Sequence, residues 1–171
     1  ARATNVGVGD VIAYDFDGEV AVDTLCFITS RTSNFAYTCR DKSGSDPVAT
    51  TSATRQTWNI YRAYTALSDI ANGTGATGFQ ENLGIPAGLR DFDNFNSVDL
   101  SANSASWNIA LYADGADAGG FHNAVSGGGG EGFASSTVQH TVRIFAPSLA
   151  SEVGVSQRHA GIWDDAKSRI V

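Results

Sequence analysis

The chain carries only two cysteines, and both lie in one short segment, residues 24–41, TLCFITSRTSNFAYTCRD. Two runs rich in β-branched and aromatic residues flank a polar Thr32-Ser33-Asn34 turn there, which is the pattern of a β-hairpin. Folding the segment about Thr32 and Ser33 sets Arg31 opposite Asn34, Ile28 opposite Tyr37 and Cys26 opposite Cys39. Opposed β-carbons in an antiparallel pair lie about 4.5–5.5 Å apart, which a modest adjustment turns into a disulfide. A Cys26–Cys39 disulfide is therefore expected, and with it a secreted protein, extracellular or at the cell surface. Two buried free thiols are the plain alternative, since free cysteine is often a core residue. Metal binding finds little support, because two cysteines need two more ligands and the three histidines are scattered.

At 171 residues the chain is long enough to bury a core without many staples. Charged residues make up 17%, and 19 glycines together with Ser, Thr and Asn fill the gap, which suits β-structure with many turns. The net charge of -7 repels phosphate backbones, and no Lys/Arg cluster offsets it, so nucleic acid is not an expected partner. No apolar run reaches the length of a membrane span.

Residues 1–54 read as an N-terminal β-hairpin module: a strand at 11–16, an acidic turn, the cysteine hairpin, then the polar stretch SGSDPVATTSATR with Pro47 as the boundary signal. Residues 55–171 read as a second unit packed with it, or continuous with it as one domain. TWNIYRAY at 57–64 is apolar on both faces and suits a strand covered on both sides. TALSDIANG at 65–73 is a short helix candidate, capped by Thr65 or Ser68 and ended by Gly73. SWNIALYA at 106–113 and HTVRIFAP at 140–147 are further strands, and residues 168–171 a last short one. Long glycine-rich excursions separate these brief strands, notably at 73–103 and around SGGGGEG at 126–132. Such excursions are unusual for a compact β-sandwich and fit a parallel β-solenoid, where loops project sideways from stacked strands. Trp-Asn-Ile recurs at 58–60 and 107–109, as equivalent rungs would repeat. The expected fold is all-β with one short helix: a short β-solenoid or parallel β-helix-like unit after a disulfide-linked hairpin, with a β-sandwich as the alternative.

The stretches VGVGDVIAYDFDG, FITSRTSNFAYT, IYRAYTALSDIANGTG and SEVGVSQRHAGIWDDAK carry a further signal. They resemble a module in large, uncharacterised secreted proteins of environmental, mostly uncultured bacteria, where it precedes or opens a right-handed parallel β-helix. The likeness spans nearly the whole chain and is most specific in YRAYTALSD and EVGVSQRHAGIWDD. It implies secretion and β-helix-like architecture, and it brings no activity, cofactor or catalytic residue. The cysteines are not part of that pattern, so the disulfide rests on the hairpin alone.

The members of that group are longer, and this chain accommodates only three or four rungs. A short solenoid exposes unpaired backbone N–H and C=O groups at each end. A neighbouring subunit can satisfy them by strand addition or end-to-end stacking. The segment ARATNVGVGDVI suits a donated strand, with Val6, Val8 and Asp10 sharing one face by period two. The function expected on these grounds is structural and non-enzymatic: a subunit of an extracellular filament or cell-surface assembly, self-assembling into a homopolymer. The alternatives are a carbohydrate-binding or adhesion module for surface glycans and, weakest, a β-helix glycan-active enzyme.

Several residues are candidate sites. In YDFDGEVAVD the carboxylates of Asp15, Asp17, Glu19 and Asp23 alternate ahead of and after a glycine, as oxygen ligands do in calcium loops. No bidentate Glu follows at the later position, and surface carboxylates on a turn are the plainer reading; calcium is the one cofactor considered. DFDNFNSVD offers Asp91, Asp93, Asn94, Asn96 and Asp99, which fit either paired-carboxylate chemistry on a glycan or turn and capping roles. His122, His140 and His159 sit in unrelated contexts, no Ser lies in a GxSxG elbow, and the glycines at 127–130 lack the Lys-Ser/Thr of a phosphate loop. No catalytic constellation emerges. Trp58 and Trp107, within apolar strands, are expected to pack, while Trp163 beside Asp164 and Asp165 is the candidate for an exposed inter-subunit or ligand contact. Asn72-Gly73-Thr74 is the only N-glycosylation sequon.

Overall fold

The computed structural model describes residues 4–19, 21–51, 57–65, 81–90, 92, 101, 104, 106–113, 115, 137–165 and 167. Within them lie six strands: β1 (Asp10–Tyr14), β2 (Thr24–Arg31), β3 (Tyr37–Arg40), β4 (Trp58–Arg62), β5 (Trp107–Ala110) and β6 (Val142–Phe145). The first four form an antiparallel sheet in the order β3-β2-β1-β4, and β5 and β6 form a separate parallel pair. The chain is mainly β, and its described helical turns are two short 3₁₀ segments, Ala87–Leu89 and Val155–Gln157. No helix of the described residues is long and apolar enough to cross a membrane.

β1 is the central strand because its residues are buried on both faces. Val11 and Ala13 are fully buried, and so are Asp10 and, nearly, Tyr14 on the opposite face. Ile12 stands opposite Cys26 on β2 and opposite Ile60 on β4, so one apolar row crosses three strands. Cross-strand rows of this kind are the unit of sheet stability. Burying Val11 and Ile28 completely contributes about 1.5–3 kcal/mol each.

The hairpin of β2 and β3 differs in register from the sequence expectation. Ile28, not Cys26, stands opposite Cys39, and Arg31 stands opposite Tyr37. The turn is longer than two residues, because the Thr32 and Ser33 N–H groups both donate to the Ala36 carbonyl. A bulge between Ile28 and Ser30 absorbs the offset. Cys26 and Cys39 still share a face, on a diagonal, with their Cα atoms 5.6 Å apart, and the disulfide is formed. Asn34, expected opposite Arg31, lies in the turn instead, where its Oδ1 accepts from the Arg31 guanidinium.

β4 is an edge strand, not one covered on both sides: Trp58 is 42% exposed and Asn59 is exposed. Its pairing with β1 places residues 58–62 in the same sheet as the N-terminal hairpin. The two Trp-Asn-Ile copies both form strand, yet in different settings, one in the antiparallel sheet and one in the parallel pair. They are not equivalent rungs. The helix expected at 65–73, beyond Thr65, and the strand expected at 168–171 lie outside the described residues.

A line of rings joins the two sheets. Phe27 meets Phe92 at 5.1 Å, Phe92 meets Tyr64 at 5.9 Å, and Tyr64 meets Trp107 at 6.1 Å. Trp107, Leu111, Val142 and Ile144 then pack around buried Ile109. The ends of the chain close the fold by an antiparallel ladder. Val8 N–H donates to the Glu152 carbonyl, Gly154 N–H to Val6, and Ser156 N–H to Thr4. Gly7 faces Val153 across this ladder. The backbones approach so closely that a β-carbon on Gly7 would stand 2.2 Å from the Glu152 oxygen, and one on Gly154 would stand 2.1 Å from the Thr4 oxygen.

Candidate functional site

Two features stand out among the described residues: the outer edge of the disulfide hairpin, and the acidic turn at its other end. The edge is built by alternation. The Ala36 carbonyl accepts from Thr32 N–H, and the Thr38 carbonyl accepts from Thr29 Oγ1 at 3.3 Å, so both point toward β2. Successive peptide groups of a strand point in opposite directions, which turns the carbonyls and N–H groups of Tyr37 and Cys39 away from the sheet. No described strand lies beyond them. Thr38 is exposed, and Phe35 at the entry to the strand is 82% exposed. The other outer strand is partly covered, because Asn82 donates its Nδ2 to the Arg62 carbonyl and its backbone N–H to the Ala63 carbonyl.

Beyond β3 the chain makes a tight polar turn. Asp41 Oδ1 accepts from Ser43 N–H, Ser43 Oγ and Ser45 N–H at 2.7–2.9 Å. These bonds, that from the Ser43 hydroxyl foremost, hold the Asp41 carboxyl below the usual carboxylate range. The exposed Arg40–Asp46 ion pair closes the same turn.

The acidic turn connects β1 to β2. Gly18, with φ +88°, lets the chain reverse, and Asp15 Oδ1 accepts the Gly18 N–H at 2.6 Å. Asp23 Oδ1 accepts the Phe16 N–H at 3.2 Å, and Asp17 Oδ1 the Glu19 N–H at 3.0 Å. Oxygens of Asp15, Asp17 and Asp23 lie within 4.8 Å of one another, a spacing that oxygen ligands of a hard cation can adopt. Glu19 is not among them. Beside this turn, burial and then the charges of Asp23 and Asp41 push the Tyr14 phenol above its ordinary value, while its hydroxyl donates to the Val48 carbonyl at 2.5 Å.

A third cluster was not visible in the sequence. Asp10 is 1% exposed and lies between Arg62 Nη1, at 2.6 and 2.8 Å, the Gly7 N–H at 2.9 Å and the Tyr112 hydroxyl at 3.4 Å. The Arg62 guanidinium also stacks over the Tyr112 ring at 3.8 Å and donates to the Asn5 carbonyl. Burial pushes the Asp10 carboxyl above its ordinary value, and Arg62, Gly7 and Tyr112 pull it only partly back. The cluster ties together the N-terminal arm, β1, β4 and the segment after β5. These contacts are all with groups of the chain itself, so they join those segments together.

The other sequence candidates disperse. Val6 is buried and Val8 is half-buried, and both are engaged in the ladder with residues 152–154 of the same chain, so the pairing expected of a donated strand is made internally. A signal for that ladder does exist: Val-Gly-Val occurs at 6–8 and again at 153–155, and the two copies face each other. Trp163 is 78% exposed, with its Nε1 donating to Asp165 Oδ1 at 3.1 Å. Trp107 packs beside Ile109, as expected. His140 bonds to Thr137 within a local turn, and His159 follows the second 3₁₀ segment. Asn72, Asp91, Asp93, Asn94, Asn96, Asp99, His122 and the glycines at 127–130 lie outside the described residues.

Comparison with protein-family models, with curated proteins and with solved structures finds no match to this chain.

Proposed function

We propose that this protein is a structural subunit of an extracellular filament or cell-surface assembly, and that the outer edge of β3 accepts a strand from a second copy. One observation carries this reading: β3 (Tyr37–Arg40) ends its sheet with outward-pointing backbone groups at Tyr37 and Cys39. Proteins that stay monomeric blunt such edges with short strands, bulges, charged side chains, proline or a covering segment. β3 is short and ends in Arg40, but it carries neither Lys nor Pro, and no described strand or helix covers it. Strand addition would supply main-chain hydrogen bonds, with exposed Phe35 adding apolar contact at the rim. The disulfide supports secretion, because such bonds persist in oxidising compartments.

The solenoid-like part of the proposal rests on β5 and β6. They pair in parallel, Ile109 opposite Ile144, although 31 residues separate Ala110 from Val142. A parallel β-helix repeats that arrangement rung upon rung, and it offers end-to-end stacking as a second mode of polymerisation. A glycan-binding or adhesive role is the competing reading, favoured by the adjacent exposed side chains of Ile162 and Trp163.

The test is sedimentation velocity and negative-stain electron microscopy of oxidised protein across a concentration series, with Thr38→Lys alongside. Concentration-dependent filaments that Thr38→Lys shortens or abolishes are the expected result. Dispersed particles at every concentration would remove the structural reading and pass the question to a glycan array.

A further inference from the structure

We infer that the Cys26–Cys39 disulfide gates the β3 edge: oxidised, it fixes β3 as a template for a second copy, and reduced by a dithiol, it frees β3 while β1, β2 and β4 stay paired. The gate rests on the reading of β3 as the assembly edge.

Among the described residues β3 is held by its ladder to β2, by short-range bonds and by the disulfide. The strand is four residues long, and its ladder to β2 is interrupted by the bulge between Ile28 and Ser30. Its other bonds are local or weak. Tyr37 donates its hydroxyl to the Asn34 carbonyl in the adjoining turn. Thr29 Oγ1 reaches the Thr38 carbonyl from the exposed face of β2. Arg40 pairs with Asp46 in the turn that follows, where both side chains are well exposed and the pair holds little. The Asp41 bonds are likewise internal to that turn.

The disulfide is the exception. Cys26 is buried at the centre of the sheet, opposite Ile12, whereas Cys39 is half-buried on the outer strand. The bond therefore ties an outer strand, paired on one side only among the described strands, to a buried position inside the sheet. The rest of the sheet has independent anchors. Arg31 N–H and Nη1 donate to the Ser151 and Ala150 carbonyls, Asp10 pairs with Arg62, and Tyr14 reaches Val48. None of these passes through β3.

Reduction follows ordinary thiol–disulfide exchange. A dithiol thiolate attacks the more accessible Cys39 sulfur, the S–S bond breaks, and Cys26 leaves as a thiolate that takes up a proton. The second thiol of the reductant then displaces Cys39, which is also protonated. The reductant departs as a cyclic disulfide, so two electrons and two protons have passed to the pair.

The experiment compares amide hydrogen exchange and sedimentation of the full chain with and without dithiothreitol, and of the double variant Cys26→Ala/Cys39→Ala. Reduction is expected to speed exchange of the protected β3 amides about 100-fold, the scale of losing a crosslink over a loop this short, and to convert assemblies to monomers. Amides of β1 and β4 should change by less than about threefold. Unchanged exchange in β3, or equal acceleration in every strand, overturns the gate. Assembly that survives reduction overturns the gate alone, whereas oxidised protein that never assembles overturns the assembly reading and the gate with it.

Discussion

Replacing Asp10 by alanine removes the acceptor on which three segments of the chain converge. Gly7 N–H loses its Asp10 acceptor, Arg62 loses its carboxylate, and the Tyr112 hydroxyl keeps its bond to the Val8 carbonyl at 2.8 Å. Breaking a buried ion pair by deleting one member costs about 3–5 kcal/mol. The Arg62 side chain is 25% exposed, so water relieves part of the loss, and about 3 kcal/mol is the expected cost. In a chain of this length that lowers the Tm by about 6–12 °C in a calorimetric scan. Asp10→Asn keeps the shape and an acceptor for Gly7, so its cost is smaller, about 1 kcal/mol. Its dependence on pH is the sharper test. Because burial raises the Asp10 carboxyl above 3.8, the folded chain holds the proton more tightly than the unfolded chain. The part of the Asp10 contribution that comes from this shift is thus fully present below 3.8 and is lost as pH rises through the raised folded value. The stability difference between the natural protein and Asp10→Asn, measured by urea titration, should therefore be largest in acid and shrink toward neutral pH. A difference that grows as the pH rises would show that the attraction of Arg62 outweighs burial, and would refute this reasoning.

Two other perturbations probe the closing ladder and the acidic turn. Gly154→Ala places a β-carbon 2.1 Å from the Thr4 carbonyl oxygen, although the φ of −64° there suits any residue, so the cost is steric. Opening the ladder should cost about 2–3 kcal/mol by urea titration, against almost nothing for Gly88→Ala, where a β-carbon meets no atom within 4 Å. Near-equal midpoints for the two variants would show that the ladder is not what closes the fold. If the triad of Asp15, Asp17 and Asp23 holds calcium with about 0.1–1 mM affinity, 10 mM calcium raises the Tm by about 3–10 °C. Asp17→Asn, the most exposed of the three, should remove most of that rise, and an unchanged Tm in the natural protein would leave the triad as an ordinary acidic turn.

What could be read from the residues divides along sequence distance. The disulfide was legible because Cys26 and Cys39 sit in a single hairpin, where periodicity and one turn decide who meets whom. Even so, the register was off, since nothing in TSNFA announces that both Thr32 and Ser33 donate to Ala36 or that Thr29 forms a bulge. The acidic cluster was legible for the same local reason, and only Glu19 falls outside the grouped carboxylates. β4 misled because TWNIYRAY has the apolar content of an interior strand, while its place at the edge is set by pairing with β1 across more than forty residues. Burial at an edge depends on what lies beyond the strand, which composition does not encode.

The ladder between residues 4–8 and 152–156 shows the same limit from the other side. Val6-Gly7-Val8 alternates like a strand free to be donated, and only its twin, Val153-Gly154-Val155, reveals that the partner is already in the chain. Glycine marks both copies because no β-carbon fits where the two backbones meet. With the arm so occupied, residues 4–8 pair within the chain rather than offering a free strand. The edge on which the proposed assembly rests is therefore a different one: β3, four residues long and pinned by one disulfide, lies at the end of the antiparallel sheet with no described strand beyond it.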